Sequence, residues 1–373
     1  MITFDPPENV GGVEGRARNY TAILARKGIL IGVISFSPSY KFTKTSAYGA
    51  PLLRLPSSAK SLPFSFRVVL DEINANRIDC IFFLSGGTSL IGNVLLCYAR
   101  MKRIATAVFL YGKDILSARA SIASISTLYF GLSLANRVIA NSHFTASLLP
   151  RSYQWKIEIL HPAIDPHSLQ HGQKMLSRLE QENRRTVLFV GRLVKRKGVD
   201  VLLLAFKKCL TQFPNLKLEI VGDGPEFDNL KKMAKELGLV DEVIFRGQLT
   251  GEQLYTEYSQ CEVFVMPSTT TDRDVEGFGT VFLEAGLFGK PCIGTFSGGI
   301  PEAILNHKTG LLVPENDDEA LSSAIERILS DNELAKRLGE NGKFRVLDEF
   351  TWEKTTNALY SILQQINQGH RSV

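Results

Sequence analysis

Short apolar runs alternate with amphipathic stretches along the whole chain. In the first half the runs "ITF" (2–4), "ILIGVIS" (29–35), "DCIFFL" (79–84), "IATAVFL" (104–110), "RVIANS" (137–142) and "KIEILH" (156–161) predict strands. Helical spacing lies between them, over 13–27, 66–76, 88–101, 117–135 and 143–149. Continuous apolar runs are what strands buried on both faces require, and amphipathic crossovers join such strands in parallel. A polar segment (167–185) interrupts the rhythm and reads as a linker. The alternation then restarts with strands over 186–193, 216–222, 242–247, 262–268 and 291–295, and ends in helical sequence. Two doubly wound Rossmann-like α/β domains facing across a cleft are expected. Ligands bind outside the carboxyl ends of such strands, so the loops after "ITF", "VFL", "LFV", "EIV" and "VMP" carry the candidate chemistry.

Composition narrows the class without choosing a function. The chain has 373 residues, 44% hydrophobic and 22% charged, enough for two folded domains. Five scattered cysteines without a C-x-x-C pair argue against a zinc site or a disulfide framework and fit a reducing compartment. The opening segment lacks the basic-then-apolar pattern of a signal peptide, and no apolar run reaches spanning length. A cytoplasmic protein, or one peripheral at the inner face of the membrane, is expected. Charge is uneven. Residues 1–160 carry 18 Lys and Arg against 8 Asp and Glu, a net +10, whereas the remainder is net −5. An anionic partner for the first half follows, with a solvated basic surface as the alternative.

The loops hold phosphate- and hydroxyl-binding chemistry. Gly11-Gly12 opens the first long helix, whose free amides suit a phosphate; a tight turn is the alternative. In "GRLVKRKGVD", Arg192 and Lys197 flank another helix start, as a diphosphate clamp would, with a solvated basic loop as the alternative, while Lys195 and Arg196 are expected to face solvent. In "EGFGTVFLE", Glu276 lies in a loop and Glu284 on a helix expected from near Gly279 to Phe288. A carboxylate accepts two hydrogen bonds and suits vicinal hydroxyls, so a nucleotide sugar fits this pair. A capping role for Glu276 is the alternative.

"EGFGTVFLE" resembles the E-x7-E motif of retaining glycosyltransferases of the GT-B fold, family four (glycosyl transferases group 1). "GGVEGRARNY", "VIANSHFTASLL", "LFVGRLVKRKGVDVLLLAF", "LEIVGDGP", "VIFRGQL", "EVFVMPS", "SGGIPEAI" and "TGLLV" extend the resemblance over nearly the whole chain. It implies an acceptor-side domain over 1–165, a donor domain over 166–350, and a C-terminal helix (351–373) crossing back to the first domain. It implies a metal-independent hexosyltransferase that retains configuration, uses a UDP- or GDP-sugar and needs no cofactor. Arg192 and Lys197 match the pair on the diphosphate, Glu284 the ribose ligand, and Glu276 the residue facing the transferred sugar. The backbone of Gly277, Phe278, Gly279 and Thr280 matches the segment holding sugar and phosphate. Gly247 and Leu249 lie where the base binds, and Gly12 matches a phosphate contact.

One position departs from the pattern. The family often has a histidine after the fourth strand, and this chain has Tyr111 in "YGKD", with His143 as the nearest substitute. A phenol donates a hydrogen bond but is no base near neutral pH. The competing function is a non-catalytic nucleotide-sugar or glycan binding protein. Nucleic acid is not an expected partner, because the basic and aromatic interleaving of a binding groove is missing. The acceptor is expected to be a glycan, a glycolipid or an anionic small molecule, with an anionic membrane surface as a further partner.

Overall fold

A computed structural model describes residues 1–3, 12–29, 32–58, 60–76, 78–166 and 185–371. The predicted linker (167–185) and the Pro6-Pro7 loop fall outside the described residues, apart from Arg185. The chain divides into two units, one of Met1–Pro162 with Trp352–Val373 and one of Ala163–Thr351.

The first unit is built on β1 (Ile2–Thr3), β2 (Val33–Ser37), β3 (Thr43–Ala47), β4 (Ala50–Pro56), β5 (Cys80–Phe83), β6 (Ala105–Leu110), β7 (Arg137–Ala140) and β8 (Ile157–Ile159). Their order is β3-β4-β2-β1-β5-β6-β7-β8, parallel except for the β3–β4 hairpin. Successive strand residues point to opposite faces. Phe83, Val108 and Leu110 therefore enter one core, and Phe82, Ala107 and Phe109 the other. Helix Gly12–Arg26 and the C-terminal helix Trp352–Arg371 contribute Tyr20, Leu24, Leu359 and Ile366 to the second core. Tyr20 meets Trp352 edge-on at 5.3 Å. The β1–β2/β5 junction reverses the strand order and is the topological switch point of this sheet.

The second unit is a parallel sheet of β9 (Thr186–Val190), β10 (Lys217–Val221), β11 (Val243–Gly247), β12 (Val263–Val265), β13 (Cys292–Thr295) and β14 (Gly310–Val313), in the order β11-β10-β9-β12-β13-β14. Every residue of β9, β12 and β13 is buried, which explains their unbroken apolar sequence. The switch point lies between β9 and β12, and the loops leaving these strands become neighbours.

The hairpin β3–β4 was not foreseen. Strand β3 reads "TKTSA" and is largely exposed at the sheet edge, so no apolar alternation announces it. Its turn uses Tyr48 and Gly49 at φ 56° and 80°, and a tyrosine is an unusual residue for the first position of such a turn. The helical pattern over 117–135 is two helices, Lys113–Ala118 and Ile122–Leu134, the second capped by the Ser121 hydroxyl.

Candidate active site

Strand β9 delivers a basic turn to the switch point. Arg192 is exposed and makes no side-chain contact with another charged group among the described residues. Lys195–Lys197 forms a single 3-10 turn before helix Val199–Cys209. Gly198 links the two at φ 66°, and a Cβ there would sit 2.1 Å from the Pro267 carbonyl oxygen. Only glycine lets the basic turn lie against the segment leaving β12. The Thr269 amide donates to the Arg196 carbonyl (2.7 Å) and fastens the same junction.

That junction corrects the expectation for Arg196. Lys195 is exposed, but Arg196 turns inward. Its Nη1 lies 2.8 Å from Glu276 Oε2 and its Nε 2.9 Å from Asp274 Oδ2. The Lys197 Nζ reaches the same Glu276 Oε2 at 2.5 Å, with Met266 Sδ at 3.1 Å. Both cations meet one oxygen, so Glu276 Oε1 takes neither. The Glu276 side chain is 14% exposed. Burial pushes its carboxyl up, but the charges of Lys197 and Arg196, with their hydrogen bonds, outweigh burial and hold it at about 2. Glu276 is therefore an anion at any working pH.

The loop carrying Glu276 is braced from behind by the segment after β13. The Gly299 amide donates to the Glu276 carbonyl at 2.9 Å. A Cβ at Gly298 would come within 2.2 Å of the Glu276 carbonyl oxygen, and one at Gly299 within 2.2 Å of that of Gly277. The "SGG" stretch thus fixes the acidic loop through backbone proximity.

Gly279, at φ 88°, turns the loop into helix Thr280–Leu287, one residue inside the predicted bounds at each end. The Phe278 ring is buried against Phe350 at 5.6 Å, so Phe278 offers a ligand only its backbone. Glu284 has a different neighbourhood. The Tyr258 hydroxyl donates to Glu284 Oε2 at 2.6 Å, and the Tyr258 ring stacks on Phe288 at 5.9 Å. Burial raises the Glu284 carboxyl above its ordinary range, and the Tyr258 hydrogen bond only partly opposes it. Burial, then the Glu284 charge, push the Tyr258 phenol well up, so it remains a donor. Gly247, at φ 68°, ends β11 and accepts from the Gly222 amide at 2.8 Å, while Leu249 packs against the core of this unit.

The first unit holds the other predicted residues. Gly12 is the first residue of helix Gly12–Arg26. Tyr111 follows β6, half-buried, stacked on Phe109 at 6.4 Å, with the Arg16 guanidinium carbon 4.9 Å from its ring centre. The Tyr111 amide donates to Asp114 Oδ2 at 3.0 Å. His143 is the exposed first residue of the short helix His143–Ser147, with its ring 6.0 Å from that of His161. Three residues of the second unit were missed in the sequence: Arg196, Asp274 and Tyr258. In "KRK" nothing distinguishes the inward cation, and Tyr258 occupies an ordinary apolar position of its helix.

The glycosyl transferases group 1 family matches residues 173–345, which span both glutamates and the basic turn. The second unit thus carries the match to this family. It is 27% identical, over 97% of each chain, to the GDP-mannose-dependent α-(1-6)-phosphatidylinositol monomannoside mannosyltransferase of Mycolicibacterium smegmatis. Its fold resembles that of a sucrose-phosphate synthase from Thermosynechococcus elongatus (TM-score 0.81, 23% identical, 99% of both chains). It also resembles the Anabaena protein HepE solved with UDP and glucose (TM-score 0.77, 20% identical, 97% of this chain and 98% of that one). The GT-B fold and the expectation of a sugar-transferring enzyme hold, and the mycobacterial relative is itself a hexosyltransferase.

Proposed function

We propose that this glycosyltransferase moves a hexose from a nucleoside-diphosphate sugar to an acceptor hydroxyl with retention of configuration and without a metal. The cluster of Lys197, Arg196 and Glu276 at the second unit's switch point carries the reading. As the sugar–phosphate bond breaks, charge grows on the departing diphosphate. Arg192, exposed and without a charged partner among the described residues, and Lys197 are the cations assigned to it, and the amides of Gly277, Phe278, Gly279 and Thr280 add donors. Preorganised groups of this kind supply several kcal/mol. Glu276 faces the positive charge that grows on the sugar, through the oxygen its cations leave open. Glu284 holds the ribose, with Gly247 and Leu249 beside the base. Gly12 and Tyr111 are the first unit's contributions, Tyr111 as a neutral donor to the transferred sugar.

GDP-mannose is the favoured donor, because the full-length relative from Mycolicibacterium smegmatis is GDP-mannose-dependent. That relative acts on a phosphatidylinositol monomannoside. A phosphorylated glycolipid acceptor agrees with the net +10 of residues 1–160. It also agrees with one surface of the first unit. Helices Leu90–Met101 and Ile122–Leu134 pack together and expose Leu90, Met101 and Ile122 at 75%, 75% and 86%, beside exposed Arg100, Lys102 and Arg103. Exposed apolar side chains rimmed by cations suit an anionic membrane surface.

Incubating the purified chain with GDP-mannose and with UDP-glucose, with and without EDTA, tests the reading. Release of GDP with an α-linked mannosyl product, unaffected by EDTA, is expected. Binding of nucleotide sugar without release or transfer, for every donor and acceptor tried, would establish a binding protein instead.

A further inference from the structure

Lys197 Nζ and Arg196 Nη1 both close on Glu276 Oε2, yet only one of these cations is held from a second side. The Arg196 Nε lies 2.9 Å from Asp274 Oδ2, with its N–H off the line of a hydrogen bond, so charge rather than a directed bond makes this pair. The Arg196 carbonyl also accepts from the Thr269 amide at 2.7 Å. Lys197 lacks a second anchor of this kind. Besides Glu276, its Nζ meets Met266 Sδ at 3.1 Å, and a thioether is a weak acceptor without charge. Burial opposes both positive charges. For Arg196 the charges of Glu276 and Asp274 outweigh burial and the guanidinium is raised; for Lys197 burial prevails over Glu276 and the ammonium is lowered.

Asp274 is itself built into its loop. Its amide donates to the Thr271 hydroxyl at 3.0 Å, the Thr271 amide donates to its carbonyl at 2.9 Å, and its Oδ1 accepts from the Val275 amide at 3.0 Å. Thr270, just before this turn, donates from its amide and its hydroxyl to the two oxygens of Glu315, each at 2.8 Å. Asp274 thus reaches Arg196 from a fixed turn, and Arg196 in turn fixes Glu276. A buried carboxylate stripped of its last cation is costly. Lys197 can therefore turn to another anion only while Arg196 stays on Glu276.

We propose that Arg196, fixed by Asp274, is the permanent partner of Glu276, and that Lys197 is a shared cation which the diphosphate of the substrate draws away from that carboxylate. Asp274 is then a positioning residue: it touches no substrate, and it frees Lys197 by keeping Arg196 in place. The inference rests on the reading that Lys197 meets a nucleoside diphosphate.

Calorimetric titration of the full chain with GDP and with UDP tests this, the tighter nucleotide serving as the probe. Arg196→Gln and Asp274→Asn are measured alone and in combination with Glu276→Gln. With Glu276 present, Arg196→Gln should weaken binding about tenfold, because Glu276 then keeps Lys197 for itself. Asp274→Asn should weaken it about threefold, and Asp274→Glu, which keeps the charge, less. With Glu276→Gln in place both losses should shrink to within about twofold, since nothing competes for Lys197 any longer. Direct contact of Arg196 with the nucleotide, or general loosening of the loop, would weaken binding equally in both backgrounds, and that result overturns the proposal. Unchanged affinity in both Arg196→Gln and Asp274→Asn overturns it as well. If Arg196→Gln does not fold, the Asp274→Asn cycle decides by the same criterion, because Asp274 is 31% exposed and its replacement leaves Arg196 its pair with Glu276. A wild type that binds neither nucleotide overturns the proposal together with the reading beneath it. Binding that follows the expected pattern without any sugar transfer would refute the proposed activity and leave this division between the two cations standing.

Discussion

Glu276 and Glu284 stand eight residues apart in one motif, yet their environments are opposites. Glu276 is in a loop, gripped by two cations on one oxygen and held near a pKa of about 2. Glu284 is on a helix, pushed upward by burial, with one phenol as its partner. The same residue type is thus prepared for two tasks. A carboxylate locked as an anion, with a free oxygen, suits developing positive charge. A carboxyl in apolar surroundings suits hydroxyl donors, whose hydrogen bonds gain strength as water is excluded. The separation follows from the strand order: β9 and β12 are neighbours, so the basic turn meets the loop before the helix and not the helix itself.

Removing the cation that joins the two halves of this arrangement has the largest expected effect. In Lys197→Ala the diphosphate loses a charge that acts mainly in the transition state, so kcat should fall about 100- to 1,000-fold. Arg196 still holds Glu276, so the fold should survive. Steady-state kinetics beside a melting curve decide the point. A collapse in melting temperature with normal turnover per folded molecule would make Lys197 a structural residue.

Glu276→Gln probes the ion cluster as a contributor to stability. It leaves Lys197 buried without its anion and Arg196 with Asp274 alone. A loss of about 3 kcal/mol at pH 7 is expected from breaking a buried pair. The pH dependence carries the same sign. The folded-state value of Glu276 lies below its ordinary 4.5, so its contribution is present above about 4.5 and is lost as pH falls toward about 2. Urea unfolding between pH 2 and 7 should show a steep acid loss in wild type that is flattened in Glu276→Gln. Parallel curves would remove the ion pair from the account of acid stability.

The contrast also marks what the sequence made legible. The βα rhythm and the E-x7-E spacing are local patterns, so the parallel strands other than β4 and β14, and the positions of Glu276, Glu284 and Lys197, could be read in advance. The partners of those residues could not. Arg196 sits between two other cations in "KRK", and its inward turn depends on Gly198 lying against Pro267, a contact 69 residues away in sequence. Tyr258 shares the apolar face of its helix with core positions, and its hydroxyl matters only because β12 and the helix after it bring Glu284 alongside. The β3–β4 hairpin was hidden for another reason: an exposed edge strand has no buried face to pattern.

The smallest expected effect belongs to Tyr258→Phe, which tests the other glutamate. The substitution keeps the ring stacked on Phe288 and removes one hydrogen bond to the Glu284 carboxyl. That bond is the factor opposing burial, so its loss moves the carboxyl further above its ordinary range. A group with a raised folded-state value contributes stability below its unfolded value and loses it as pH rises, the reverse of Glu276. Ribose binding, by contrast, needs the carboxylate, so nucleotide affinity should weaken as pH falls. In Tyr258→Phe this weakening should begin at a higher pH than in wild type. At pH 7 the cost should be about 1 kcal/mol, or roughly fivefold in affinity, the usual worth of one hydrogen bond. Calorimetry with GDP from pH 5 to 8 reads both quantities, and Glu284→Ala supplies the limit in which no pH dependence from this group remains. Identical affinities and pH profiles for wild type and Tyr258→Phe would separate Tyr258 from the nucleotide site and leave it as a packing residue.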